Sequence, residues 1–172
     1  GGIAARFAID ANTGTLGFVA VPDFEAPVDA DADNVYELIV AVDDGNGASA
    51  LQAIAVAVSG VNEAPLLAAP SAAAVNENAA AGTLVASVTA SDPDAGDLFS
   101  FTLVNDGNGR FVLDAGSGQV RVAPGAALDF ESAPSHTLLL RVTDAQGVST
   151  QQAIVVTLHD LTESPDTSDP SN

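Results

Sequence analysis

Val61-Asn62-Glu63-Ala64-Pro65 divides this chain into two copies of one pattern. Residues 36–65 and 136–165 align without a gap, and 11 of the 30 pairs are identical. Asp44 pairs with Asp144, Gly47 with Gly147, Glu63 with Glu163 and Pro65 with Pro165. Further upstream, Phe7–Gly14 matches Phe111–Gly118, and Pro22-Asp23-Phe24-Glu25 matches Leu128-Asp129-Phe130-Glu131. An offset of 100 residues is too long for a solenoid repeat. It fits β-sandwiches arranged in tandem.

Outward from the junction, short apolar runs alternate with Gly- and Asp-rich turns. Asn12-Thr13-Gly14 separates two short strands, a hairpin signal. Tyr36–Val42 alternates, Asp43-Asp44-Gly45-Asn46-Gly47 turns the chain, and Leu51–Val58 returns it. In the second copy, strands are predicted over Thr83–Ala90 and Phe99–Val104, with a turn over Asn105–Gly109. The expected class is all-β.

Composition narrows the function. Of 172 residues 47% are hydrophobic and only 5% aromatic, so Val, Ala and Leu must fill the core. There are 23 acidic residues against 4 basic ones, a net charge of −19. Nucleic acid is excluded as a partner, because phosphate demands Lys/Arg patches. Anionic lipid is disfavoured for the same reason. With no cysteine, disulfides, thiolate metal sites and thiol catalysis are ruled out. No apolar run is long enough to span a bilayer. The chain opens on Gly1-Gly2-Ile3 without Met and reads as a piece of something longer.

The acids cluster. Asp23 and Glu25 are two apart, which in an extended segment puts both on one side. Asp92 and Asp94 flank Pro93, a turn that can aim both at one point. Such pairs repel unless a cation lies between them, and calcium takes six to eight hard oxygens, mostly carboxylates and carbonyls. Asp29-Ala30-Asp31-Ala32-Asp33-Asn34 resembles the start of a helix-loop-helix calcium loop. It has Asn34 at the sixth position, where Gly is needed, and Val40 at the twelfth, where Glu is needed. It reads as a solvated loop, with one local cation as the alternative. Catalysis has little support. His136 and His159 lack a Ser or Cys partner in a recognisable motif. His136 aligns with Tyr36 and is expected to cap or pack at a strand start. Asp129 and Glu131, repeated in the first copy, fit metal ligation better than a glycosidase pair. The expectation is a protein that is not an enzyme.

Four motifs in order resemble cadherin repeats in their bacterial, cadherin-like form. They are Asn76-Glu77-Asn78-Ala79-Ala80-Ala81-Gly82-Thr83, the turn Asp92-Pro93-Asp94-Ala95-Gly96-Asp97, the two Asp-Phe-Glu segments, and the linkers Gly60–Pro65 and Asp160–Pro165. The resemblance implies tandem Greek-key β-sandwiches of the cadherin/immunoglobulin kind. Residues 1–63 would be the C-terminal part of one repeat, 64–162 a complete repeat, and 163–172 a linker or disordered tail. The truncated first repeat is expected to expose apolar edges and to be locally unstable.

The resemblance also implies Ca2+ at the inter-repeat joint, held by Asp23, Glu25, Asn62, Glu63, Asp92, Asp94, Asp97 and Asp144. A second, incomplete distal site would comprise Glu77, Asp129, Glu131, Asp160 and Glu163. Gly60 stands where the linker pattern has Asp, and Glu63 replaces the second linker Asp, so fewer or weaker ions are expected. The implied role is an extracellular, secreted or surface-anchored adhesin. Its partners would be neighbouring repeats of the same chain and like repeats on other cells. The alternatives are a calcium-dependent module that binds polysaccharide and a spacer beside an enzyme domain. Tyr36 as the only Tyr, with no Trp, disfavours sugar stacking.

Overall fold

Every described element except one 3-10 turn, Ile3–Arg6, is a β-strand. The computed structural model describes residues 3–68, 70 and 73–162, so Glu163 and the tail at 163–172 lie outside the described residues. The chain divides into two units, Gly1–Val61 and Asn62–Asn172.

The first unit is two hairpins. Strands β1 (Phe7–Ile9) and β2 (Leu16–Phe18) pair antiparallel, with Ile9 opposite Leu16. The Asp10 carboxylate shapes their turn by accepting the N–H groups of Asn12 and Thr13, each at 2.9 Å. Strands β3 (Val35–Asp43) and β4 (Ser49–Ala57) pair over their full length, from Val35 opposite Ala57 to Asp43 opposite Ser49. Phe7, Phe18 and Tyr36 meet between the hairpins with ring centroids 4.3 to 5.9 Å apart. Tyr36 is the one buried hydrophobic residue of this unit among those described.

The second unit is a two-sheet sandwich. Its strands are β5 (Leu66–Ala68), β6 (Ala74–Asn76), β7 (Leu84–Ser87), β8 (Thr89–Ser91), β9 (Ser100–Asn105), β10 (Phe111–Leu113), β11 (Gln119–Val122), β12 (Ser135–Thr143) and β13 (Ser149–His159). One sheet runs β6-β13-β12-β9, with β6 parallel to β13 and the rest antiparallel. The other runs β10-β11-β7, and β5 pairs with β8. The predicted strand at 83–90 is thus broken at Val88, whose N–H bonds Gly118 O at 3.0 Å. β5 thus pairs with β8 while β6 joins the sheet of β13, β12 and β9, an arrangement consistent with a Greek-key sandwich.

Alternation fills the core. Leu138, Leu140 and Val142 on β12, Val156 and Leu158 on β13, and Phe111, Val120 and Val122 on the facing sheet are all buried. Each such side chain contributes about 1.5–3 kcal/mol. The buried cluster lies entirely in this unit. Val42 is 65% exposed while its counterpart Val142 is 0% exposed. The residue and strand position are the same. Val142 sits opposite Phe101 of β9, whereas β3 pairs only with β4 among the described strands. Ile39 on β3 and Leu51 on β4 are exposed too.

Gly14 and Gly118 end equivalent turns with φ of +71° and +68°. A Cβ on Gly14 would meet nothing within 4 Å, whereas one on Gly118 would collide with the Val88 carbonyl oxygen at the strand break. Gly14→Ala is therefore expected to cost only the left-handed backbone penalty, about 1–2 kcal/mol. Gly118→Ala adds a backbone clash and is expected to cost clearly more, above roughly 3 kcal/mol. Urea unfolding of the two variants checks this, and equal costs would refute it.

Candidate metal centre

Asp144 follows β12 at the turn into β13 and is 6% exposed. One of its oxygens, Oδ1, accepts the Val148 N–H at 2.7 Å and so pins the hairpin turn. The other, Oδ2, accepts an Asn62 side-chain N–H at 2.9 Å. The same amide nitrogen donates to Glu63 O at 2.9 Å. Glu63 in turn donates its backbone N–H to Asp94 Oδ2 at 3.0 Å. Two of these bonds, Asn62 to Asp144 and Glu63 to Asp94, therefore fix the linker residues against the end of this sandwich without a cation, and the Asp94 N–H donates in turn to Asp92 Oδ1 at 3.1 Å.

The turn after β8 completes the group. Gly96, with φ +89°, reverses the chain so that Asp97 returns towards Asp92. Asp92, Asp97 and Asp144 each bring an oxygen within 4.8 Å of the other two. The Pro93 turn does not hold Asp92 and Asp94 to one point: Asp92 groups with Asp97 and Asp144, while Asp94 Oδ2 takes the Glu63 N–H.

Three oxygens here are buried and accept no hydrogen bond: Asn62 Oδ1, Asp92 Oδ2 and Asp97 Oδ2. A buried acceptor left unsatisfied costs about 1–3 kcal/mol, more when charged. Burial pushes the Asp144 carboxyl up. The Asn62 amide and the backbone N–H groups of Val148, Gly147 and Gln146 outweigh it and hold the group below its ordinary value. Asp144 is thus kept as a carboxylate beside two others. A set of hard, orphaned oxygens around crowded carboxylates fits a divalent cation of the calcium kind.

Of the other expected joint residues, Asp23 and Glu25 lie in the first unit and are exposed. Their segment is not extended as assumed. Asp23 Oδ1 accepts the N–H groups of Glu25 and Ala26, both at 3.1 Å, which folds it into an Asx turn and removes the same-side argument. Gly60 has a physical reason: a Cβ there would lie 2.9 Å from Cδ1 and Cε1 of Phe24. An Asp at that position would have to displace the ring.

At the distal cluster, Glu77, Asp129 and Glu131 bring oxygens within 4.8 Å of one another. Asp160 is exposed and Glu163 lies outside the described residues. Glu77 is 1% exposed, and both its oxygens accept backbone N–H groups, from Leu161 at 2.7 Å and Phe130 at 2.9 Å. It ties two loops to the end of the sandwich, a structural task that residue type alone did not reveal. These bonds, led by Leu161 and then Phe130, hold its carboxyl below the ordinary value against burial and Asp129. Glu131 goes the other way. Its own backbone N–H lowers it, but burial and the charges of Glu77, Asp160 and Asp129 prevail and raise it. His136, on β12, packs edge-on against Phe111 with centroids 5.7 Å apart, the packing role expected of a strand start.

The signs give a pH dependence. Glu77 and Asp144 have lowered values, so their stabilisation is present above the unfolded carboxyl range and is lost as pH falls through the folded values. Glu131, raised, contributes stability below its unfolded value and loses it as pH rises through its folded value. Glu77→Gln leaves one of two backbone N–H groups without its acceptor. The variant is expected to melt lower at neutral pH and to show a shallower acid limb in the absence of metal. A calorimetric pH series checks this, and an unchanged acid limb would refute it.

A model of the Cadherin domain matches residues 71–159. Protocadherin Fat 1 of Homo sapiens is 30% identical over 170 residues, covering 94% of this chain and 4% of that protein. Protocadherin-16 of Homo sapiens is 31% identical over 170 residues, covering 93% of this chain and 5% of that protein. The chain thus spans at most a twentieth of the length of these relatives. Among solved structures, Drosophila N-cadherin EC1-4 matches with a TM-score of 0.70 at 21% identity, over 88% of this chain and 39% of that one. Mouse cadherin-23 EC22-24 matches with a TM-score of 0.57 at 24% identity, over 91% of this chain and 50% of that one. These structures share the sandwich fold found here, and with residues 71–159 matching the domain model, the chain belongs to the cadherin family.

Proposed function

We propose that this chain is a calcium-binding segment of a large extracellular adhesin, made stiff by calcium where two repeats join and serving cell adhesion. The observation that carries the reading is the set of buried, unpartnered oxygens on Asn62, Asp92 and Asp97, gathered around Asp144. Membership of the cadherin family supports it. Asn62, Asp92, Asp97 and Asp144 would hold the ion, with Glu63 and Asp94 beside them. Asp23 and Glu25, from the preceding repeat, would complete its shell.

Bound there, calcium would supply positive charge to carboxylates that otherwise repel. The chain's own residues do the rest. Asp144 fixes the β12–β13 turn, Asn62 ties the linker to Asp144, and Asp94 holds the Glu63 backbone. The linker is therefore anchored to the second repeat, and cation binding acts on its remaining freedom. The partners proposed are neighbouring repeats of the same protein and like repeats on other cells.

Calorimetric titration of the whole chain is expected to show calcium binding, with magnesium weaker. At a free concentration one hundred times Kd, calcium should add about 2.7 kcal/mol of stability by linkage. Asp92→Asn with Asp97→Asn should remove this response. Asp23→Asn with Glu25→Gln should weaken it without abolishing it. Undiminished affinity in the Asp92/Asp97 variant would overturn the site, and undiminished affinity in the Asp23/Glu25 variant would overturn the shared shell.

A further inference from the structure

The acids of the second unit avoid its largest sheet. None of the four strands β6, β13, β12 and β9 contains Asp or Glu, although the chain holds 23 such residues. The first copy differs at equivalent positions. Glu37 and Asp43 on β3 stand where β12 has Thr137 and Thr143, and Ala41 stands where it has Arg141. On β12 these three positions lie on the side opposite the buried Leu138, Leu140 and Val142. The exterior of this sheet thus carries two acids fewer and one base more than its counterpart.

We infer that the exterior of this sheet is an interaction surface, and that its partner is the same face of a second copy of the chain. The face has an apolar middle and a polar margin. Leu139 lies opposite Ala153, and Thr137 lies opposite Val155, which is 54% exposed. Thr143 and Ser149 pair beyond them, and Thr102 of β9 lies opposite Arg141. An apolar middle, few charges, no acid and an arginine rather than a lysine make the composition typical of protein interfaces. Arg141 is held in place. Its Nε and Nη2 donate to the Gln151 amide oxygen at 3.1 and 2.9 Å, with that amide turned towards them.

Charge selects the partner. At a net charge of −19, two copies repel wherever their acidic turns approach each other. A basic partner would seek those turns, whereas a like copy must avoid them. On this sheet two copies can touch without opposing carboxylates, and a twofold arrangement uses the one surface twice and closes on itself. Area sets the strength. At about 3.4 Å per residue and 4.8 Å between strands, strands of 3, 6, 9 and 11 residues present roughly 500 Å² per copy. Twice that area lies at the low end for specific contacts, so the dimer is weak and concentration-dependent. The strands of the facing sheet, β10-β11-β7, also lack acids, but at 3, 4 and 4 residues they offer less than half the area.

This interface rests on the reading of like repeats as partners and gives them a surface on which to meet. Its strands carry none of the residues proposed to hold calcium. Self-association through it therefore needs no cation, only enough salt to screen the repulsion between the acidic turns.

The test is sedimentation equilibrium of the whole chain in EDTA, at protein concentrations up to about 1 mM and in salt from about 0.01 to 1 M. The wild type should form a dimer that strengthens as salt rises. Thr137→Glu with Thr143→Asp installs the residues that the first copy carries at the same strand positions, and should weaken the dimer at least roughly tenfold with unchanged circular dichroism. Ile39→Glu with Leu51→Glu, at exposed positions of the first unit, should dimerise as the wild type does. A wild type that stays monomeric throughout overturns the inference. So does undiminished association of the Thr137/Thr143 variant, or association lost only in the Ile39/Leu51 variant, which would place the contact on β3 and β4. Because calcium is absent throughout, these outcomes leave the junction site to its own titration.

Discussion

The mutual repulsion of Asp92, Asp97 and Asp144 is the constraint on which the functional end of this protein depends. Three carboxylates offering oxygens within 4.8 Å of one another are tolerable only if something compensates them. The chain has just four basic residues. Arg110 spends its bonds on the carbonyls of Gly107 and Ala127, and Arg121 on the Gly82 carbonyl and the Gln119 amide. Compensation comes instead from neutral donors, the Val148 N–H and the Asn62 amide on Asp144 and the Asp94 N–H on Asp92. These satisfy part of the set and leave Asp92 Oδ2 and Asp97 Oδ2 without a donor. A protein that wanted only a stable turn would not need that remainder.

The fold sets the crowding. The Asp92–Asp97 turn and Asp144 sit at the ends of strands whose positions are fixed by the packed interior, Leu138, Leu140 and Val142 on one sheet and Val120 and Val122 on the other. The acids cannot drift apart without disturbing the strands that carry them. Burial of those apolar side chains thus holds together a polar cluster that would otherwise disperse. At the opposite extreme, Glu77 shows what full satisfaction looks like: both oxygens take backbone N–H groups and the carboxylate serves architecture.

Much of this was legible from the residues. Repetition of Asp44/Asp144 and of the Phe7–Gly14 pattern disclosed equivalent hairpins in the two copies, because equivalent turns demand equivalent Asp and Gly. The grouping of Asp97 with Asp92 could be read from Gly96, the residue that allows the reversal. Other features could not be read. Asp23 bonds its own backbone two and three residues on, and that choice between turn and extended chain is not written in an Asp-x-Glu spacing. Gly60 looked like a lost ligand, and the reason is steric: the Phe24 ring occupies the space its side chain would need. The strand break at Val88 arises from a partner, Gly118, thirty residues away in sequence.

The two copies also separate what a sequence specifies from what its surroundings supply. Asp44 and Asp144 do the same turn work: Asp44 Oδ1 accepts the Ala48 N–H at 3.0 Å, and Asp144 Oδ1 accepts the Val148 N–H at 2.7 Å. Local chemistry was enough to build both hairpins. Burial was not local. Val42 and Val142 are the same residue at the same point of the same strand, and only the latter has β9 beside it. Hairpin geometry thus follows from turn residues, and a hydrophobic core follows from neighbouring strands. The junction acids combine both requirements. Their turns are locally encoded, but their convergence exists only where a packed sandwich holds those turns together, so the second unit gathers carboxylates that its turn sequences alone could not bring together.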